Sequence, residues 1–253
     1  YEKLKRLINE KYWDERDGFY YDIDKETGAP CRIKTPASFW AMLAEVPDRK
    51  QAARMVKYLR QAEFMGGEYP WPTLARDDKD YNGETGDYWR GGIWLPMVYM
   101  GTKALEKYGY YELADELAEK VVRQQLRTYH NVTPHTIWEC YSPSADRPST
   151  EHGRQARPDF CGWSALGPLS LFIENILGFR EVDALQRKVV WSLKKKNGTH
   201  GLRRLRFGNV TTDILYRDTD KRIEVESNEP YTLVVNGKKH KVKSGKSFIK
   251  VEL

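Results

Sequence analysis

At 253 residues the chain has the length of one large domain, or of one domain with a small appendage. Its net charge of +6 is scattered, and the runs Lys194-Lys195-Lys196 and Lys238-Lys239 lie beside the turn signals Asn197-Gly198 and Asn236-Gly237. They read as solvated loops, which argues against a nucleic-acid surface. No apolar run reaches the roughly 18 residues of a membrane span and no signal segment is read, so no membrane contact is expected. The 16 Tyr and 8 Trp outnumber the 8 Phe, which favours wet, ligand-facing rings over an oily core. Cys31, Cys140 and Cys161 have no metal-type spacing and read as small buried hydrophobes.

Taken in chain order, Leu4, Leu7, Ile8 and Tyr12 recur at helical spacing, predicting a helix over Tyr1–Trp13. A turn rich in Asp and Gly follows over Asp14–Asp24, then a second helix around Pro36–Leu43. Ala52, Met55, Val56 and Leu59 form the stripe of a third, with Asp48 as its N-cap. Residues 60–86 read as loop, helices resume at about 92–108 and 110–127, and Ser164–Leu177 reads as an apolar helix closed by Gly178. From about Val189 the texture turns to short β-branched runs, Thr211–Tyr216, Arg222–Val225, Thr232–Val235 and Phe248–Val251, with Asn236-Gly237 as a hairpin turn. The first part therefore reads as helix, long loop, helix, repeated, with a β-rich region after it. The opening inside a helical pattern leads to the expectation that the chain starts within a domain, which leaves the cellular location open.

Two clusters carry the chemistry. Asp87-Tyr88-Trp89-Arg90-Gly91-Gly92-Ile93-Trp94 combines flat rings for the apolar faces of a pyranose, a guanidinium fork for hydroxyls, and glycines such as Gly91 that let the backbone approach. Downstream, Ile137-Trp138-Glu139-Cys140-Tyr141-Ser142-Pro143 leads into Arg157-Pro158-Asp159-Phe160-Cys161-Gly162-Trp163. Glu139, between Trp138 and Tyr141 at a point where Pro143 ends regular structure, is the candidate general base. Arg90 is read as a hydroxyl or carboxylate binder, or as the partner of Asp87 or Asp159 in a structural ion pair. Asp159 is read as orienting Arg90 or a sugar hydroxyl. Asp77, Asp78 and Asp80 lack calcium-loop spacing, and His130, His135 and His152 belong to no ligand set, so neither metal nor cofactor is expected. A second carboxylate in an acid-like setting is absent from the pattern, although glycoside hydrolysis ordinarily takes two.

Tyr88-Trp89-Arg90-Gly91-Gly92-Ile93-Trp94, Trp138-Glu139-x-Tyr141-x-Pro143 and Phe160-x-Gly162-Trp163-Ser164-x-Leu166-Gly167-Pro168 resemble glycoside hydrolase family 63 and the mannosylglycerate-hydrolase-like enzymes, and more distantly the trehalases. Tyr12–Tyr20 with Asp22, and Pro70-x-Pro72-Thr73 with Asp77-Asp78 and Tyr81, extend the resemblance from the first residue to about Gly178. It implies a mainly α architecture: about half of an (α/α)6 toroid over residues 1–182, then a small β-rich appendage over 183–253. It also implies an inverting, exo-acting α-glycosidase on an α-glucoside or α-mannoside, with Glu139 as base. Tyr88, Trp89, Arg90, Gly91, Trp94, Tyr141, Asp159 and Trp163 then form the carbohydrate site. The family's general acid, an Asp in a Gly-x-Asp-x-Ser segment, has no counterpart here. The acid is therefore expected from outside this chain, from an N-terminal half of the toroid that also covers otherwise exposed apolar faces. A polysaccharide lyase or phosphorylase on the same toroid, and a sugar-binding protein without turnover, are the alternative readings.

Overall fold

The computed structural model describes residues 1–195 and 197–251, so Lys196 lies outside the described residues. They divide into two compact units, Tyr1–Leu171 and Phe172–Leu253.

The first unit is built of helices and long ordered loops. Helix α1 (Glu2–Tyr12) has no fully buried residue, and its Leu4 is 64% exposed. Polar contacts moor it instead: Asn9 Nδ2 donates to the Val46 carbonyl at 3.1 Å and Asn9 Oδ1 accepts from the Tyr20 hydroxyl at 2.6 Å. The Asp/Gly-rich turn forms a short hairpin of β1 (Trp13–Asp14) and β2 (Phe19–Tyr20), in which Gly18 takes φ +68°. After a 3-10 turn at Pro36–Ser38 comes α2 (Phe39–Leu43), then α3 (Arg49–Arg60). Asp48 caps α3 with a reciprocal capping box to Gln51, and the stripe of Ala52, Met55, Val56 and Leu59 is buried.

Helix α4 (Leu95–Lys107) begins with Pro96 in its first turn, where the missing N–H costs nothing. It is followed by α5 (Tyr111–Asn131), one turn longer than the pattern suggests. Gly101 of α4 lies directly against the Trp71 ring, so a Cβ there would sit 2.4 Å from Trp71 Cη2. The buried face of α5 reads Leu113, Ala114, Leu117, Ala118 and Val121, then turns polar at Gln124, Gln125 and Thr128. One apolar cluster joins Phe39, Met42, Met55, Trp71, Leu105 and Val121 at its centre. The hairpin of β3 (Thr150–Glu151) and β4 (Arg154–Gln155) closes on His152-Gly153, both at positive φ, +50° and +78°.

The expected helix over Ser164–Leu177 is a 3-10 turn at Trp163–Leu166 followed by a π-helical segment, Gly167–Ile176. Gly178 follows at φ +90°, as a closing glycine should.

The second unit is a β-sandwich. One sheet has the order β11-β10-β6-β5, from β5 (Phe179–Asp183), β6 (Lys188–Trp191), β10 (Tyr231–Val235) and β11 (Lys238–Val242). The other has the order β12-β9-β8-β7, from β7 (Thr199–Phe207), β8 (Val210–Arg217), β9 (Arg222–Ser227) and β12 (Gly245–Lys250). Val210, Thr212, Ile214 and Tyr216 alternate inward along β8 and meet Trp191, Leu233 and Val235 of the facing sheet in a single core. Asn236-Gly237 turns β10 into β11 at φ +46° and +82°.

Lys238-Lys239 therefore begins an edge strand rather than a loop; exposed lysines on such a strand deter pairing with other chains. A second correction concerns the thiols: Cys140 is buried, but Cys31 and Cys161 are exposed.

Candidate active site

The two sequence clusters meet through one antiparallel bridge. Ile93 N donates to the Tyr141 carbonyl at 2.8 Å, and Tyr141 N returns the bond to Ile93 at 3.0 Å. This sets the 87–94 loop beside the Trp138–Tyr141 segment and brings the Tyr88 hydroxyl within 3.3 Å of Glu139 Oε1. Both side chains open on a cleft of about 550 Å³ whose other walls are Glu151, His152, Arg154, Gln155 and Arg157.

Glu139 is only 8% exposed, and its main chain is fixed on both sides. Its N–H donates to the Arg157 carbonyl at 2.9 Å, and its carbonyl accepts from Ser164 Oγ at 2.8 Å. Glu139 thus lines the cleft from a backbone held on both sides.

Tyr88 is held as firmly. Asp87 and Tyr88 have φ of +29° and +62°, a conformation non-glycine residues rarely adopt. The surroundings enforce it: Asp87 Oδ1 accepts the His152 N–H at 3.1 Å, and the Tyr88 carbonyl accepts Gly92 N at 3.1 Å and Trp94 Nε1 at 3.2 Å. Gly91, at φ +147°, has no room for a Cβ, which would stand 2.8 Å from the Tyr81 ring. Burial raises the Tyr88 phenol above its ordinary range, and the nearby charges of Glu139 and Glu151 raise it further. It stays protonated and donates to the carboxylate.

The aromatic residues form a continuous run. Trp89 stacks flat on Trp94 at 4.2 Å, Tyr88 meets the same indole edge-on at 4.6 Å, and Trp163 lies 5.8 Å from it. Trp89 and Trp163 are about half exposed, whereas Trp94 and Tyr141 are buried and serve as supports for their neighbours. Arg90 joins Asp87 at 3.3 Å and the Asp80 carbonyl at 3.1 Å. Asp159 accepts from Thr136 Oγ1 at 2.7 Å.

Of the sequence-derived candidates, Tyr88 and Glu139 line the cleft among the described residues. Glu151, Arg154, Gln155 and Arg157 are not among the candidates, and His152 is read only as belonging to no metal-ligand set. The available signal was the His152-Gly153 pair between Thr150-Glu151 and Arg154-Gln155, a two-residue hairpin turn soon after the Trp-Glu motif.

Residues 1–161 match the family model described as the mannosylglycerate hydrolase MGH1-like glycoside hydrolase domain. The chain is 29% identical over 241 residues to an uncharacterized protein of Borreliella burgdorferi, covering 92% of this chain and 50% of that one. It is 34% identical over 122 residues to a mannosylglycerate hydrolase of Rubrobacter radiotolerans, covering 48% of this chain and 28% of that one. The crystal structure of a family 63 mannosylglycerate hydrolase from Thermus thermophilus in complex with Tris matches with a TM-score of 0.52 at 25% identity, over 64% of this chain and 35% of that one. The chain thus spans half or less of the length of these relatives. Matched over more than half its length by the family's own model, the chain belongs to the mannosylglycerate hydrolase MGH1-like glycoside hydrolases.

Proposed function

We propose that the chain carries the base-bearing part of an inverting α-glycosidase, with its helices forming about half of an (α/α)6 toroid. Glu139 takes a proton from a water molecule as that water's oxygen bonds to the anomeric carbon. The bond from the anomeric carbon to the leaving oxygen breaks on the opposite face, and a general acid from outside these 253 residues protonates that oxygen. The observation that carries this reading is the largely buried Glu139, which lines the cleft within 3.3 Å of the Tyr88 hydroxyl. The half-exposed Trp89 and Trp163 are suited to stacking on the sugar ring.

The leaving group is proposed to be acidic. Arg154 and Arg157 line the cleft beside Glu151, and guanidinium forks pair with carboxylates. The relatives named as mannosylglycerate hydrolases support a sugar joined to a carboxylate-bearing group. The test is a panel of α-glucosides and α-mannosides, with neutral and carboxylate-bearing leaving groups, on the complete polypeptide containing this domain. Faster cleavage of the carboxylate-bearing members, lost in Arg154→Ala and Arg157→Ala, is expected. Equal rates across the panel contradict the acidic leaving group, and no cleavage of any member contradicts the hydrolase reading.

A further inference from the structure

Two consecutive glutamines stand where the buried face of α5 should be apolar. Gln124 is fully buried and Gln125 is 7% exposed, in line with Leu117, Ala118 and Val121 one and two turns earlier. An amide in such a place costs stability unless its hydrogen bonds are made; here the Nε2 donors are paired, while both Oε1 atoms are buried without a partner. Each glutamine spends its amide N–H groups on the segment around Glu139. Gln125 Nε2 donates to the Tyr141 hydroxyl and to the Ser164 carbonyl, both at 3.2 Å. Gln124 Nε2 donates to the Ser142 carbonyl at 2.6 Å and to the Ala145 carbonyl at 3.0 Å.

The partners lead straight to Glu139. The Tyr141 hydroxyl accepts the Trp138 N–H at 3.1 Å, and Ser164 Oγ donates to the Glu139 carbonyl at 2.8 Å. Gln125 thus fixes the residue before Glu139 through Tyr141 and Glu139 itself through Ser164. Gln124 fixes the chain immediately after. The packing leaves room for this amide and little else: a Cβ on Gly167 would fall 1.6 Å from Gln125 Oε1.

We infer that Gln124 and Gln125 are positioning residues for the catalytic step: a rigid helix sets the Glu139 carboxylate against the attacking water through two amide forks. This rests on the reading of Glu139 as the base. A misplacement of about 1 Å costs roughly 100-fold in rate, whereas Trp89, the ring proposed to stack on the sugar from the other cluster, has no hydrogen bond to either glutamine.

The test is steady-state kinetics and melting of Gln125→Met and Gln124→Met in the complete polypeptide, beside Glu139→Gln. Methionine keeps the volume of the side chain and removes the forks. The inference expects kcat to fall about 10-fold or more in Gln125→Met with KM within about threefold, in protein that melts cooperatively. Wild-type kcat in both methionine variants, with Glu139→Gln inactive, overturns the positioning role and leaves the base intact. Activity lost only in proportion to the fraction of unfolded protein overturns it too. Turnover retained by Glu139→Gln overturns the base assignment, and the inference with it. If the methionine variants do not fold, Tyr141→Phe and Ser164→Ala remove the same links one hydroxyl at a time. The same loss of kcat at steady KM is expected, and wild-type kcat in both contradicts the relay.

Discussion

The hydroxyl of Tyr88 stands 3.3 Å from Glu139 Oε1, across 51 positions of sequence. The contact requires a positive φ at Tyr88, and that conformation is fixed by Asp87, Gly92 and Trp94. At 3.3 Å the phenol is at the long end of hydrogen-bond reach of the carboxyl group and restricts its orientation. Tyr88→Phe is expected to lower kcat about 10-fold or more without lowering Tm appreciably. Unchanged kcat contradicts a working role for the contact.

Trp89 and Trp94 stack on each other yet predict opposite phenotypes. Trp89 is half exposed, so Trp89→Ala should raise KM severalfold with a small change in Tm. Trp94 is fully buried, so Trp94→Ala should destabilise by about 3–5 kcal/mol. Calorimetry and kinetics on the pair check this; equal losses of stability contradict the division between ligand-facing and supporting rings.

Burial pushes the Cys140 thiol up to about 12 from an ordinary value of 9.0. The folded chain keeps this proton over a range in which the unfolded chain releases it, so stability falls as pH rises. The contribution is complete below about pH 9 and is lost towards 12. At pH 8, iodoacetamide should modify the exposed Cys31 and Cys161 and spare Cys140 until denaturant is added. Cys140→Ala should flatten the decline of Tm between pH 9 and 11. Fast native labelling of Cys140 contradicts the buried, protonated thiol.

Asp48 and Gln51 form a complete capping box at the start of α3. Asp48→Ala is expected to cost about 1 kcal/mol, with kcat unchanged because α3 contributes nothing to the cleft. Chemical denaturation measures it directly, and an unchanged midpoint contradicts the cap.

The Asp48 N-cap, the stripe of α3 and the Asn236-Gly237 hairpin were legible because each is a short-range pattern with one physical solution. That Glu139 lines a cleft was legible for a different reason: Trp138 and Tyr141 flank the carboxylate just before Pro143 ends regular structure. The hairpin at His152-Gly153 was not read, since strands of two residues carry no periodicity and the His-Gly pair is a weak turn signal by itself. Helical character after Ser164 was legible, its π-helical geometry was not, and the strands β7 and β11 were missed because basic runs such as Lys238–Val242 mask the β pattern with surface charge. The bridge from Ile93 to Tyr141 is a long-range contact that no local pattern announces, and it brings the two clusters together.

The most direct measurement is turnover by Glu139→Gln in the complete polypeptide, with NMR of the first anomer formed by the wild type from an α-linked substrate. The account predicts the β-anomer from the wild type, and a variant that binds substrate normally while kcat falls at least about 1,000-fold. The α-anomer as first product, or a Glu139→Gln variant that turns over near the wild-type rate, contradicts it.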